Sequence, residues 1–423
     1  MRSLYASLSA LLLAVGLMTL GQNLLGTLLA VRMSVEGFSV LISGVVMAGY
    51  FTGLLVGSLT VQNIIRAVGH IRVLTALISG FSAATLVHAL TIDPWSWTAL
   101  RFAEGYCMAG IYICIESWLN ARATNSTRGT VFGLYMITTY LFGGLAQFLL
   151  VTADVSGFEL FSVASLLLSV ALLPVALTRA PAPPIPDRSS IGLRRLWQIS
   201  PLGTIGCTVS GILLGAYYGM APRYGTAAGM DAWGIATFMG AGIFGGMALQ
   251  SPIGWLSDRY DRRLVLTVVA GALALSSLLV AILTNHSLTG QPVTGMATLS
   301  RVDLLLATLV FGGLMFVVYP LAVSHVNDRA DPSEYVGVSG GMILLYSIGA
   351  VFGPILASAS MEAVGPAGLF LSMGAASALL CAYAVWRMRI SSRPDDDSRV
   401  RFRPSARVAQ VTPDPPPPPT DVR

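Results

Sequence analysis

Apolar residues along the chain come in runs of about 20 residues, separated by short segments that carry most of the charge. Each run is long enough to cross the roughly 30 Å hydrocarbon core of a bilayer as a helix. There are twelve runs, at residues 7–31, 38–61, 71–92, 97–118, 130–152, 158–178, 203–224, 232–256, 264–284, 302–325, 336–358 and 366–387. The first is too long for a signal peptide, and further runs follow it. The pattern predicts an all-α membrane protein with twelve transmembrane helices.

Composition and charge agree with this prediction. Of 423 residues, 54% are hydrophobic and 11% are charged, whereas about 25% are charged in soluble domains. The net charge of +5 comes from arginines in alternate loops, at 66, 72, 122, 128, 179, 188, 194, 195, 259, 262, 263 and 329. Such an alternation indicates topology rather than affinity for nucleic acid, and it predicts cytoplasmic N- and C-termini in a bacterial plasma (inner) membrane.

The two halves of the chain contain related segments. YICIESWLNAR (residues 112–122) and YPLAVSHVNDR (residues 319–329) share Tyr, Ser, Asn and Arg at identical spacing. Four glycines keep the same register between the halves: Gly53 corresponds to Gly245, and Gly105 corresponds to Gly312. The repeat predicts two related six-helix bundles, an arrangement that alternating-access transporters use.

The predicted domains follow from this repeat and from one break in it. The N-terminal six-helix bundle covers residues 1–178, and the C-terminal bundle covers residues 203–387. Between them, residues 179–202 form a linker that is rich in Pro and Arg and has no helical periodicity. Residues 388–423 mix Arg and Asp with a run of prolines, which predicts a disordered cytoplasmic tail.

Five charged residues lie in GWLSDRYDRR, residues 254–263, between two apolar runs. The residues that define this segment are Gly254, Asp258, Arg259, Arg262 and Arg263. A carboxylate at a helix end can pair with an arginine or face a neighbouring helix N-terminus, and such contacts can bias a gate between two states. The alternative is that the charges only hold the loop in the cytoplasm. We predict the gating role.

A second, weaker copy of this segment lies upstream. It retains Arg66, Gly69 and Arg72, but Ile65 occupies the acidic position and Gln62 occupies the position of the leading glycine. Since Ile65 cannot form an ion pair, we predict a gate that differs between the two halves.

These motifs resemble a known family. Gly254-x-x-x-Asp258-Arg259-x-x-Arg262-Arg263 resembles motif A of the major facilitator superfamily, and Arg101-x-x-x-Gly105 resembles its motif B. ESWLN (residues 116–120), followed by RGTVFGLYM, is similar to the YcaD-like branch. The resemblance covers about residues 5–388 and implies the major facilitator fold, with helices 1, 4, 7 and 10 around a central cavity. It implicates Arg101 in proton coupling or in binding anionic groups.

Ionisable residues inside the apolar runs are candidates for function, because they cost about 2.5–3.5 kcal/mol on insertion scales. The fourth run contains Arg101, Glu104 and Glu116, and we predict proton coupling through them. For Arg101 and Glu104 the alternative is a structural ion pair. For Glu116 the alternative is a helix cap or an ion pair with Arg122 or Arg128.

Uncharged polar and aromatic residues at mid-run positions are candidates for a substrate cavity. They are Gln22, Asn23, Tyr112, Tyr217, Tyr218 and Tyr319. A buried amide without a partner is costly, so Gln22 and Asn23 bind either solute or a neighbouring helix. Each tyrosine alone could instead be a packing residue.

The sequence therefore predicts a secondary active transporter that moves a small solute by alternating access, with proton coupling. We expect a monomer in the lipid bilayer, with no cofactor and no metal. The sequence contains no nucleotide-binding loop and no nucleophile–His–acid set, so we expect no enzymatic activity. The alternatives are an uncoupled facilitator, or a receptor or scaffold that uses a transporter fold without transport. The substrate and the direction of transport stay open.

Overall fold

The computed structural model describes residues 2–123, 127–176, 191–289 and 301–390. These residues form helices and loops, and no β-strand occurs in this part of the chain. The helices are α1 (Arg2–Val35), α2 (Val40–Val68), α3 (His70–Leu90), α4 (Pro94–Arg122), α5 (Arg128–Gln147), α6 (Glu159–Ala176), α7 (Leu193–Ile199), α8 (Pro201–Ala227), α9 (Ala232–Arg259), α10 (Arg262–Thr289), α11 (Arg301–Asn327), α12 (Tyr335–Val364) and α13 (Gly368–Ile390). Short 3-10 helices cover Phe148–Val151 and Pro332–Glu334. Residues 391–423 of the predicted tail lie outside the described residues.

The twelve predicted runs coincide with α1–α6 and α8–α13. Ten of these helices are long and apolar enough to cross a membrane by length and composition. The two others are α6, whose apolar part is the shorter segment Glu159–Val175, and α4, whose sequence includes two glutamates and an arginine well inside the helix. That α4 and α6 also cross the bilayer stays a prediction.

Polar residues in the short loops begin the helices. Asp93 accepts a hydrogen bond from the backbone N–H of Ser96 at 2.7 Å and is followed by a proline at the start of α4. Asp231 accepts from Gly234 at 2.8 Å at the start of α9. Such caps satisfy N–H groups that have no partner inside the helix. Gly69 has a φ of 89° between α2 and α3, a conformation that disfavours residues with a side chain.

Close helix contacts through glycine recur in both halves of the chain. In each contact a Cβ on the glycine would collide with a backbone carbonyl of the neighbouring helix, so the two backbones can approach only because the side chain is absent. The glycine–carbonyl pairs are Gly53–Phe102 and Gly105–Tyr50 between α2 and α4, and Gly245–Leu309 and Gly312–Gly242 between α9 and α11. These are the glycines that the sequence comparison placed in register, so both halves use the same contact.

The linker region contains a short helix that the sequence did not predict. Residues 179–202 were expected to lack periodicity, but α7 forms at Leu193–Ile199. Leu196 is buried, and a Cβ on Gly341 in α12 would meet its side chain. Arg195 donates two hydrogen bonds to the Glu334 carboxylate, at 2.9 and 3.2 Å, and these bonds lower the pKa of Glu334. The helix is therefore attached to the C-terminal half.

The N-terminal half (α1–α6) meets the C-terminal half (α8–α13) at the end of the molecule where α1 ends and α2 begins, here called the Ser34 end. Ser34 and Thr226 are hydrogen-bonded at 2.7 Å across the two halves. Arg223 donates to the Phe38 carbonyl at 2.8 Å. The opposite end, where α9 ends and α10 begins, is called the Asp258 end. Since consecutive helices from α1 to α4 alternate in direction, α4 begins at the Ser34 end and finishes at the Asp258 end.

Candidate functional site

A cavity of about 110 Å³ lies between the two halves, near the middle of the helices. Since roughly 10–15 Å³ of such space holds one water, this volume admits a small solute. The polar lining residues are Gln22, Asn23, Thr27, Arg101, Glu116 and Thr139. The aromatic ones are Tyr50, Phe51, Tyr112, Tyr135, Tyr140, Tyr218 and Tyr346.

The lining comes from six helices and from both halves. Helices α1, α2, α4 and α5 supply most of it, and the C-terminal half contributes Tyr218 from α8 and Tyr346 from α12. The family resemblance implied lining by helices 1, 4, 7 and 10. Because α7 lies in the linker, these four helices correspond to α1, α4, α8 and α11. Helices α1, α4 and α8 line the cavity, whereas α11 contributes no lining residue. Helices α2, α5 and α12 also contribute lining residues. Tyr346 lines the cavity, although the family resemblance implied that its helix lies further from the cavity.

Gln22 is held in place by two tyrosines. Its amide donates to the Tyr50 hydroxyl at 2.5 Å and accepts from the Tyr112 hydroxyl at 3.1 Å. Asn23 donates to the carbonyl of Thr19 within its own helix at 2.9 Å. The amides therefore have protein partners and still face the cavity, so the two alternatives left open for them, helix contact and solute contact, are compatible in this geometry.

A buried cluster of three ionisable side chains lies beside the cavity. Arg101 donates to Glu104 at 2.8 Å, and the Nδ1 atom of His88 lies 3.2 Å from the other Glu104 oxygen. The Arg101 guanidinium also lies 4.4 Å from the centre of the Tyr50 ring. Glu104 and His88 are 0% and 1% exposed. Arg101 lines the cavity, whereas Glu104 and His88 do not. The positive charge of Arg101 is therefore neutralised by a carboxylate that lies outside the cavity lining.

His88 was missed in the sequence analysis. It lies on α3, where its ring packs against Trp97 and Phe161 with centroids 5.5 and 6.4 Å away. The signal was present, because a lone histidine in an apolar run is an ionisable residue inside a membrane segment. Its contact with Glu104 could not be predicted, because that contact depends on how α3 packs on α4.

Glu116 also lines the cavity, nearer the Asp258 end. One carboxylate oxygen accepts from the Tyr135 hydroxyl at 3.1 Å, and the other is buried with no hydrogen-bond partner. Glu116 as a whole is 3% exposed. Among the described residues Glu116 forms no ion pair, so the pairing with Arg122 or Arg128 that we had left open is not found.

Arg101 is too far along α4 to balance the charge of Glu116. The two residues are separated by fifteen positions, which is about 22 Å at a rise of 1.5 Å per residue. At an effective dielectric constant near 20 their attraction is below about 1 kcal/mol. The cavity is therefore lined by Arg101, whose charge Glu104 neutralises, and, about 22 Å further along α4, by Glu116, which has no counter-ion within ion-pair distance among the described residues.

Two of the predicted cavity residues lie elsewhere. Tyr217 is 0% exposed, and its hydroxyl donates to the Met239 carbonyl at 3.1 Å. It is therefore part of the α8–α9 contact, because it points about 100° around α8 from its neighbour Tyr218. Tyr319 is buried on α11 and packs edge-on against Tyr346, with ring centres 5.2 Å apart. It supports a cavity residue without lining this cavity itself.

The charged segment at the Asp258 end forms a compact network within the C-terminal half. Arg262 pairs with Asp258 at 3.0 Å and with Asp328 at 2.7 Å, and its side chain is 2% exposed. Arg263 pairs with Asp261 at 2.8 Å. These contacts connect the end of α9, the start of α10 and the residue after α11.

Of the other two members of this segment, Arg259 faces outward and Gly254 does not. The guanidinium of Arg259 stacks 3.9 Å from the Trp255 ring. Gly254 is buried on α9. In the weaker upstream copy, Arg66 and Arg72 are exposed while Ile65 is buried, and Gly69 makes the turn between α2 and α3. The structure thus brings an acidic residue together with a buried arginine in the C-terminal copy, and an isoleucine occupies that acidic position in the N-terminal copy.

Comparison with known proteins assigns the chain to a family. The model of the Major Facilitator Superfamily matches residues 11–296, and the chain belongs to this superfamily. It is 29% identical over 380 residues to the uncharacterized MFS-type transporter YcaD of Escherichia fergusonii, covering 89% of this chain and 95% of that protein. It is also 29% identical over 393 residues to an uncharacterized MFS-type transporter of Yersinia pestis, covering 91% and 96%.

Solved structures show the same fold. The nucleoside transporter NupG aligns with a TM-score of 0.72 at 14% identity, covering 91% of this chain and all of that chain. A bacterial homologue of the lysosomal transporter Spinster, in an inward-facing conformation, aligns with a TM-score of 0.66 at 13% identity. At these identities only the fold is shared. The resemblance to the superfamily and to its YcaD-like branch is confirmed: the chain is a multi-pass membrane protein of a transporter family, and it is not an enzyme.

Proposed function

We propose that the protein is a secondary active transporter that moves a small solute across a bacterial inner membrane by alternating access. In this proposal all twelve long helices cross the bilayer and both termini are cytoplasmic. One observation carries it: the cavity is lined by both halves, with Tyr218 and Tyr346 from the C-terminal half and Gln22 and Tyr112 from the N-terminal half. A solute between two related halves can be exposed to either side if the halves rock around it.

The contacts at the Ser34 end support a closed state of that end. The Ser34–Thr226 and Arg223–Phe38 hydrogen bonds join the halves there, and aromatic contacts such as Phe148–Trp233, at 5.5 Å between ring centres, add to them. We assign this closed end to the periplasmic side, since the arginine-rich loops lie at the other end. Transport would require these contacts to break while the Asp258 end closes.

In this proposal Asp258 stabilises the closed form of its own end. Its side chain is 34% exposed although it pairs with Arg262, so it can still take a partner on the approaching N-terminal half. Asp258 differs in this exposure from Asp328, which pairs with the same arginine but whose side chain is 4% exposed. Asp328 would hold the network together, and Asp258 would bias the gate.

Asp258→Asn is therefore expected to raise the fraction of molecules that are open at the Asp258 end. In a cysteine-free background, a thiol introduced as Thr139→Cys in the cavity should react faster with an impermeant maleimide added from the cytoplasmic side. Asp154→Asn, in an exposed loop at the opposite end, is the matched control. Equal reaction rates in Asp258→Asn and in the parent protein, with normal insertion, would contradict the gating role.

Proton coupling is proposed to run through α4. Glu116 is the better carrier, because it faces the cavity and lacks a cationic partner. Glu104 is neutralised by Arg101 and lies outside the lining, so the geometry favours the structural ion pair that the sequence analysis left open. An uncoupled facilitator, with both carboxylates structural, is the alternative.

A solute screen in proteoliposomes tests the function. Solid-supported-membrane electrophysiology and an internal pH dye would be read together, with and without a pH gradient, so that both electrogenic and electroneutral exchange are detected. Solute-specific signals that follow the pH gradient are the expected result. Solute-specific signals without that dependence favour the facilitator. Silence in both readouts across a broad library, from folded protein, would contradict transport and favour a receptor or scaffold.

A further inference from the structure

Of the two charged groups that line the cavity, one has no counter-ion within ion-pair distance among the described residues. Among the lining residues Arg101 is the cationic side chain and Glu116 is the carboxylate. Arg101 is matched by Glu104 at 2.8 Å, with His88 on the far side of that carboxylate. Glu116 has only the Tyr135 hydroxyl on one oxygen, and its second oxygen is buried and unbonded. An empty cavity thus contains a carboxylate that lacks both a counter-ion and one hydrogen bond.

Among the described residues no cationic side chain lies within ion-pair distance of Glu116. Along α4 the charged neighbours are Glu104 and Arg101 on one side, about 18 and 22 Å away in axial distance, and Arg122 in the last turn on the other side, about 9 Å away. Arg128 stands at the start of α5, seven positions before Tyr135. The titratable side chains that the other lining helices present are tyrosines, namely Tyr50 on α2, Tyr135 and Tyr140 on α5, Tyr218 on α8 and Tyr346 on α12. A buried carboxylate in such surroundings requires a cation or a proton to neutralise it.

The rest of the lining suits a cation that carries an apolar body. Six tyrosines and Phe51 surround the space, and Met47, Met136 and Leu54 add apolar surface. Aromatic faces attract cations within about 6 Å of the ring centre, above all quaternary ammonium groups. One such contact already exists in the cavity, where Arg101 lies over Tyr50. An anionic solute would meet these ring faces and the Glu116 carboxylate, both of which disfavour it.

We propose that the transported solute is a monovalent organic cation with an aromatic or apolar body, and that Glu116 binds its cationic group. This inference rests on the proposed transport function and specifies its substrate class. The unbonded Glu116 oxygen is the contact point, and the tyrosines enclose the body of the solute.

The same site implies exchange against a proton. When the cavity is empty, a proton on Glu116 neutralises the carboxyl group. When the organic cation arrives, that proton leaves to water, and it returns when the cation is released. Each cycle exchanges one positive charge for another, so transport of a monovalent cation is electroneutral. The expected signal is therefore a change of internal pH without a matching current.

Equilibrium binding to the purified full-length protein tests the inference. The probes are tetramethylammonium, benzyltrimethylammonium and N-methylquinolinium, each compared with a sulfonate of similar body, such as phenylmethanesulfonate for benzyltrimethylammonium. Binding is measured by calorimetry, and proton release is measured with an indicator dye in weakly buffered solution. Glu116→Gln removes the charge at constant size, Glu116→Asp keeps the charge, and Glu159→Gln, on the exposed start of α6, is the matched control.

We expect at least one of the two aromatic ammonium ions to bind at least tenfold more tightly than its sulfonate and to release protons on binding. Glu116→Gln should weaken this binding at least tenfold and abolish the proton release, while Glu116→Asp and Glu159→Gln should retain both. The inference is overturned if no cation is preferred over its sulfonate, or if Glu116→Gln binds cations as well as the parent protein does.

The test separates this inference from the proposed function. If neutral or anionic solutes are transported and Glu116→Gln transports them equally well, the substrate class is wrong and the transport function stands. If organic cations bind at Glu116 and release protons but no solute crosses the membrane, the site stands and the transport function is wrong.

Discussion

A disulfide between Ser34→Cys and Thr226→Cys is expected to reduce transport to background. The two hydroxyl oxygens are 2.7 Å apart and belong to different halves, so a short shift brings two thiols to the bonding distance of about 2.05 Å. Alternating access requires the halves to separate at this end once in every cycle. A covalent bond there would keep the protein in one state, and transport should return when the bond is reduced.

The matched control is a disulfide that lies within one half. Ser82 on α3 and Ser165 on α6 also have hydroxyl oxygens 2.7 Å apart, but both belong to the N-terminal half. Ser82→Cys with Ser165→Cys should therefore form a disulfide and leave transport near the parent rate. Both variants would be made without the four native cysteines, Cys107, Cys114, Cys207 and Cys381. Persistent transport by fully cross-linked Ser34→Cys/Thr226→Cys would contradict rocking of the halves.

Removal of one partner of the Arg101–Glu104 pair is expected to lower the free energy of unfolding by about 3–5 kcal/mol, because it leaves a buried charge uncompensated. Both side chains are almost inaccessible, at 5% and 0% exposure. Arg101→Met and Glu104→Met should each show this loss. The double variant should recover most of it, because two apolar side chains replace the pair without leaving a charge. Unfolding by SDS in mixed micelles measures each corner of this double-mutant cycle.

An exposed ion pair provides the comparison. Arg195 and Glu334 are hydrogen-bonded through two contacts, but the arginine side chain is 52% exposed. Such surface pairs contribute about 0–1 kcal/mol, so Glu334→Met should change stability far less than Glu104→Met does. A similar small loss in both variants would mean that Glu104 does not compensate a buried charge.

The sequence predicted the helices well because the membrane makes the pattern simple. Long apolar runs must be helical when they cross a bilayer, since only a helix satisfies its own backbone there. The register of Gly53 with Gly245, and of Gly105 with Gly312, could be read from spacing alone, and the structure shows all four at carbonyl contacts of the same kind. The short helix α7 was missed because seven residues in a Pro-rich segment give no periodic signal.

The candidate site was predicted only in part. Gln22, Asn23, Tyr112 and Tyr218 line the cavity as expected. Tyr217 does not, because adjacent residues of a helix point about 100° apart and a sequence does not show which of the two faces the centre. Partners that come from other helices, such as His88 for Glu104 and Tyr135 for Glu116, depend on packing between distant parts of the chain.

Alternating access requires that one cavity is exposed to each side of the membrane in turn, and labelling of Thr139→Cys from both sides measures this exposure. Thr139 lines the cavity on α5. Right-side-out and inside-out vesicles would be treated with an impermeant maleimide, with Leu275→Cys on the exposed face of α10 as the unreactive control. We expect labelling from both sides, and from the cytoplasmic side alone once Ser34→Cys and Thr226→Cys are cross-linked. Labelling from a single side in the protein without the cross-link would contradict alternating access.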